Sequence, residues 1–158
     1  MPYTDLLAAG RIVHAVEPAS RDQVLDMAAR LIGGGAVGAT PAIADGLRRR
    51  EAVGSTGIGR GVAIPHCRSE ACREPRAAFL RLATPVDFAA RDGEPVDLVF
   101  AMAVPGGHAQ QRHLDTLSEL AGRFADSGFR DAVRHAPDIA ALRSLLLEPG
   151  GLQGARPA

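Results

Sequence analysis

The nine residues Val96–Val104 contain one charge, Asp97, and are otherwise apolar. The run is far too short to span a membrane and lacks the polar alternation of a strand with one wet face. It reads as a central β-strand covered on both sides, and such a strand demands apolar partners above and below it. Helical patterns elsewhere in the chain supply them. Ser20 followed by Gln23 has the form of a capping box. Val24, Met27, Ala28, Leu31 and Ile32 then repeat at helical spacing until Gly33-Gly34-Gly35 stops them. Thr40-Pro41 opens a second helix, with Pro at the first helical position, carrying Ile43 and Leu47 and running out near Arg48, Arg49 and Arg50. Leu114, Leu117, Ala121 and Phe124 mark the core-facing stripe of a helix over Gln110 to Phe124, and Pro137-Asp138 opens a last helix with Ile139, Leu142, Leu145 and Leu146. Ile12 to Val16 and Ala77 to Leu82 read as further strands, and Val62 to Ile64 as a short apolar run ending at Pro65-His66. Residues 1–10 read as a loose start and residues 148–158 as a disordered Pro/Gly-rich tail. Strands mixed with helices along one chain specify a layered α/β domain.

Composition removes several classes of function. The 158 residues make one ordinary domain, 46% apolar and 23% charged, with a formal net charge of zero. No basic excess points to nucleic acid or to an anionic membrane, and all 18 basic residues are Arg. The first ten residues lack a basic region followed by an apolar stretch, and no apolar run reaches about 18 residues, so neither a signal peptide nor membrane insertion is expected. A cytoplasmic protein is the expectation. Cys67 and Cys72 do not make a disulfide framework, and no second ligand pair follows their C-x4-C spacing, so no metal is expected.

The chemistry is concentrated between Arg50 and Arg68, where an Arg, Ser55-Thr56, four glycines, Pro65-His66 and two further arginines crowd together. Glycines let backbone N–H groups approach an anion, and hydroxyls donate to phosphate oxygens. A guanidinium grips phosphate through two parallel bonds. A neutral imidazole offers a nucleophilic nitrogen near pH 7. Together these suit a phosphoryl group carried covalently on His66. The glycines at 57, 59 and 61 do not fit a dinucleotide fingerprint, because Val62 stands where G-x-G-x-x-G needs its third Gly, and a P-loop is excluded by the absence of Lys.

The run Gly54-Ser55-Thr56-Gly57-Ile58-Gly59-Arg60-Gly61-Val62-Ala63-Ile64-Pro65-His66 resembles the active-site signature of type 2 enzyme IIA domains (fructose, mannitol and nitrogen-regulatory) of the phosphoenolpyruvate-dependent phosphotransferase system. Arg50-Glu51 upstream, Thr84 to Phe88, Pro95 to Phe100, and His113-Leu114 with Thr116-Leu117 extend the resemblance over residues 5–147. It implies a single-domain three-layer α/β sandwich with a mixed β-sheet flanked by helices. It also implies that His66 is phosphorylated by an HPr-type phosphocarrier, with His113 beside it and Arg50 near the phosphoryl group. Ser55, Thr56 and Gly57 would bind that group, and no metal or cofactor would take part. The acceptor would be an enzyme IIB component or a set of regulated target proteins. Because no sugar-specific B domain, membrane C domain or HPr-like domain is fused to the chain, the nitrogen-regulatory branch is favoured over a sugar-specific one. A binding module without phosphorylation is the remaining alternative. One departure stands out: the residue after the histidine is usually Gly in the family and here is Cys67, whose Cβ restricts the backbone. His14, His108 and His135 read as surface or packing residues.

Overall fold

The computed structural model describes residues 2–148, so the expected tail lies, from residue 149 on, outside the described residues. Six strands form one sheet: β1 (Ile12–Val16), β2 (Gly57–Gly59), β3 (Val62–Ala63), β4 (His66–Arg68), β5 (Arg76–Val86) and β6 (Val96–Val104). Their order is β1-β5-β6-β3-β2, with β4 also paired to β6. The sheet is mixed: β1 runs parallel to β5, β5 antiparallel to β6, β3 and β4 parallel to β6, and β2 antiparallel to β3.

Five helices cover the two faces: α1 (Arg21–Gly33), α2 (Ala39–Val53), α3 (Gln110–Ala125), α4 (Ser127–His135) and α5 (Ile139–Leu147). Strand alternation divides the central strand between two cores. Val99, Ala101 and Ala103 pack with α1 and α2, while Leu98, Phe100, Met102 and Val104 pack with α3, α4 and α5. This is the three-layer sandwich that the apolar run Val96–Val104 requires. The capping box forms with its return bond shifted by one residue: Ser20 Oγ accepts from Gln23 N at 3.2 Å, while Gln23 Oε1 accepts from Ala19 N at 2.7 Å rather than from Ser20 N.

Several local expectations are corrected. The loose start is packed: Tyr3, in a 3-10 turn, and Leu6 and Leu7, which follow that turn, are buried against the α3 side of the sheet. Helix α2 begins at Ala39 after Gly38 at φ 74°, and it continues past the arginines to Val53, so Arg50 projects from its last turn. The glycine-rich segment is not all loop, because Gly57–Gly59 pairs as β2. Strand β4 and helix α4 escape the pattern reading. Strand β4 is only three residues long, and its side chains alternate between two environments. Helix α4 offers only Phe129 and Val133 as a core pair, and its start is fixed by Asp126 Oδ1 accepting from Gly128 N and Phe129 N. On α3 the buried face is His113, Thr116, Leu120 and Phe124, whereas Leu114 is 48% exposed. The expected leucine stripe is thus rotated by about one residue.

Candidate functional site

Strand β4 continues the line of β3 along β6 after an interruption at Ile64-Pro65, where Pro65 has no N–H for the ladder but its carbonyl accepts from Met102 N at 2.9 Å. His66 is the first residue after this break and pairs with Met102. Cys67 points into the α1–α2 core, so alternation turns His66 and Arg68 toward α3. Cys67 has no left-handed backbone angle, so its Cβ is accommodated without strain there. Opposite it stands Gly46 of α2, where an added Cβ would lie 3.0 Å from the Cys67 sulfur. The bulk absent at position 46 makes room for the bulk present at 67. Burial, then the neighbouring Cys72, pushes the Cys67 thiol up to about 12, so it is an uncharged core group beside the imidazole.

The His66 ring is half-buried and held from both nitrogens. Nδ1 lies 2.8 Å from the Ile64 carbonyl oxygen, which can only accept, so Nδ1 carries the proton. Nε2 therefore has the free lone pair, and Arg50 Nε donates toward it at 3.3 Å. Arg50 is itself anchored by NH1 donating to Gly54 O at 2.8 Å. Burial lowers the pKa of His66 below its ordinary value, and the Arg50 charge adds to this, against the raising effects of the Ile64 carbonyl and of Glu51. The His113 ring lies 5.4 Å from His66, tilted by 59°. His113 is 7% exposed, and its Nδ1 has no hydrogen-bond partner. Burial, followed by the charges of His66, Arg68 and His108, pulls its pKa to about 4, so it is neutral near pH 7. A neutral imidazole can occupy the inward face of α3, which explains the rotated stripe. His108 packs edge-on against the pair, its ring 6.4 Å from His113, as one of the two expectations for it, surface or packing, allows.

The structure thus brings together His66, His113 and Arg50. It places Ser55, Thr56 and Gly57 beside them in the chain, but the donors of these three residues, expected to reach a phosphoryl group, are already engaged. The Thr56 hydroxyl donates to Glu51 Oε1 at 2.6 Å and its N–H to Oε2 at 2.8 Å. The Ser55 hydroxyl donates to Phe88 O at 2.5 Å, and Gly57 N donates to Ser55 Oγ at 3.0 Å. The physical reason is burial: donors removed from water need fixed acceptors, and Glu51 supplies two. Glu51 is 6% exposed and lies 3.7 Å from Arg21 NH1. The sequence assigned it no role, although the Arg50-Glu51 pair forms part of the family resemblance. Gly59, Arg60 and Gly61, all at positive φ, make the β2–β3 turn rather than a cradle at His66. Val62 pairs with Leu98 and His66 with Met102, so that turn lies four strand positions away, about 13 Å.

The roomier clefts also lie away from the histidines. One of about 830 Å³ runs beside Gly54, Ile58, Ala89 and Arg91. Another of about 680 Å³ lies among Arg60, Arg130 and Arg134, where Asp97 neutralises Arg134. The histidine pair instead lies near an exposed apolar residue, Leu114, next to His113 in the chain. Among the described residues, no group of three or more His, Cys, Asp or Glu side chains converges to hold a metal ion, and no helix is long and apolar enough to cross a membrane.

Comparison with known proteins identifies the family. The profile described as "Phosphoenolpyruvate-dependent sugar phosphotransferase system, EIIA 2" matches residues 5–148. A nitrogen regulatory protein of Pseudomonas aeruginosa is 39% identical over 148 residues, covering 90% of this chain and 93% of its own length. One from Bradyrhizobium diazoefficiens is 37% identical, covering 94% and 97%. The crystal structure of the nitrogen regulatory protein IIA-Ntr from Neisseria meningitidis superposes with a TM-score of 0.84 at 34% identity, covering 91% of this chain and 98% of that one. With a histidine pair, an arginine and a matching sequence over nearly its whole described length, the chain belongs to the EIIA type 2 family of the phosphoenolpyruvate-dependent sugar phosphotransferase system.

Proposed function

We propose that this protein accepts a phosphoryl group on Nε2 of His66 from an HPr-type phosphocarrier in the cytoplasm and uses the phosphorylated state as a nitrogen-regulatory signal. The observation that carries the reading is the fixed tautomer of His66, with Nδ1–H on the Ile64 carbonyl and the Nε2 lone pair facing Arg50. In the transfer, the Nε2 lone pair attacks phosphorus as the phosphorus–nitrogen bond of the donor's phosphohistidine breaks, and that electron pair leaves on the donor nitrogen. No proton need move. The ring becomes cationic on phosphorylation, and the Ile64 carbonyl stabilises its Nδ1–H.

Arg50 has to give up its long contact with Nε2 and turn its donors to the phosphoryl oxygens, balancing charge where it develops. His113, neutral and with an unpartnered nitrogen, stands beside the same oxygens as a hydrogen-bonding group. Glu51, Thr56, Ser55 and Gly57 hold the segment that carries the Arg50 anchor, Gly54 O. Phosphorylation places a phosphoryl group with nearly two negative charges on a ring that becomes cationic, a net gain of about one negative charge close to exposed Leu114, and this changes the docking properties of that face. Relatives named as nitrogen regulatory proteins, similar over almost the entire chain, favour regulated target proteins as the readers of that change. A second reading, an enzyme IIA that passes the group to a sugar-specific IIB component, is favoured by relatives such as the fructose-specific EIIA component of Haloferax volcanii, 31% identical over 132 residues.

The test is phosphorylation from phosphoenolpyruvate with enzyme I and an HPr-type carrier, followed by intact mass. The expected result is an acid-labile gain of one phosphoryl group that is absent in His66→Ala. No gain with several carriers overturns the proposal. Pull-downs with His66→Asp and His66→Ala then separate the two readings, since a charge-driven switch requires different partner sets.

A further inference from the structure

Helix α3 carries His113 in its first turns, yet its N-cap residue, Ala109, makes no side-chain cap bond. An uncapped helix start after the loop Pro105-Gly106-Gly107 is poorly fixed by its own sequence. The fixing comes from Arg68, two residues beyond His66 on the same face of β4. Its NH1 approaches Pro105 O at 3.4 Å, Gly106 O at 3.3 Å and His108 O at 2.7 Å, and its NH2 donates to Gln110 Oε1 at 2.9 Å. One planar guanidinium therefore spans the loop and the first residue of α3, one helical turn before His113. These bonds are individually exposed and weak, but a rigid fork loses less freedom per bond than separate contacts would.

We infer that Arg68 is a positioning residue for phosphoryl transfer, fastening the start of α3 to β4 so that His113 is held against His66. This rests on the reading given under Proposed function. A fork is needed because NH1 serves the loop carbonyls while NH2 serves the Gln110 side chain, and a lysine ammonium, a single point donor, cannot hold both groups at that separation. The charged and titratable groups acting on His113 are His66 and Arg68 from β4 and His108 from the loop, with Arg50 reaching the far side of His66 from α2.

The experiment compares Arg68→Lys and Arg68→Gln by nuclear magnetic resonance titration of the His113 ring, amide exchange over residues 106–110, and the steady-state kinetics of phosphoryl acceptance. Arg68→Lys keeps the charge and loses the fork. The expected result is that both variants loosen the loop, raise the His113 midpoint, and slow kcat about tenfold while KM for the carrier holds. Wild-type titration, exchange and kcat in Arg68→Lys overturn the inference, since charge alone would then suffice. A rise in KM alone also overturns it, by making Arg68 a docking contact. If wild type takes up no phosphoryl group, the transfer reading fails separately, and titration and exchange still decide whether Arg68 seats His113.

Discussion

Replacing Glu51 tests whether a buried carboxylate holds the site loop in place. Its oxygens accept from Thr56 N at 2.8 Å and Thr56 Oγ1 at 2.6 Å, both buried. Hydrogen bonds to a charged acceptor are worth about 1.5–3 kcal/mol each, and removing the acceptor leaves the Thr56 N–H unsatisfied. Glu51→Ala should therefore cost about 3–5 kcal/mol. Glu51→Gln has a different expectation. The amide oxygen can accept from Thr56 N while the amide nitrogen donates to Thr56 Oγ1, whose hydroxyl rotates to accept. Two bonds survive and only the charge assistance is lost, so the cost should be about 1 kcal/mol. Urea denaturation at pH 7 measures both, with the midpoint falling and the slope unchanged. The alanine variant should melt roughly 8–15 °C lower and accept phosphoryl groups more slowly, because Gly54 O, the Arg50 anchor, lies in the freed segment. Equal costs for Gln and Ala, or a cost below about 1 kcal/mol for Ala, refute the reasoning.

Other outcomes follow from the same geometry. Burial holds His113 near 4 in the folded protein, against 6.5 for an ordinary histidine, so between these values the unfolded chain binds a proton that the folded chain refuses. Stability should therefore fall as pH drops from about 7 to 4, by about 1–2 kcal/mol after allowance for solvent screening; His113→Gln should remove that component in urea titrations at each pH. The lowered His66 pKa favours the neutral nucleophile, so the acceptance rate, measured by rapid quench, should begin to fall at a more acid pH than it would for an ordinary histidine. Gly46→Ala should cost about 1–3 kcal/mol because its Cβ meets the Cys67 sulfur at 3.0 Å. In a Cys67→Gly background the same change should become neutral or stabilising, since the clash is gone and Ala favours the helix.

The parts of this molecule legible in the sequence were those fixed by short-range pattern. The apolar run of β6 announced a strand with two covered faces, and its register assigns alternate residues to two cores. Ser20 and Gln23 located the start of α1. The thirteen residues ending in His66 pointed to the site, and His66, His113 and Arg50 meet in space although they come from β4, α3 and α2. What the sequence concealed depends on tertiary partners. A histidine counts as polar in any periodicity, so the buried face of α3 was misread until its neutral state was known. Ser55 and Thr56 advertise hydroxyls, but where those hydroxyls point is decided by Phe88 and Glu51. Gly46 has meaning only once Cys67 is seen opposite it.

The most direct test of the central claim is long-range proton–nitrogen correlation nuclear magnetic resonance on the phosphorylated protein with labelled histidine. The account predicts that the phosphoryl group sits on Nε2 of His66 while Nδ1 keeps its proton on the Ile64 carbonyl. A phosphoryl group on Nδ1, or on His113 or His108, would contradict it.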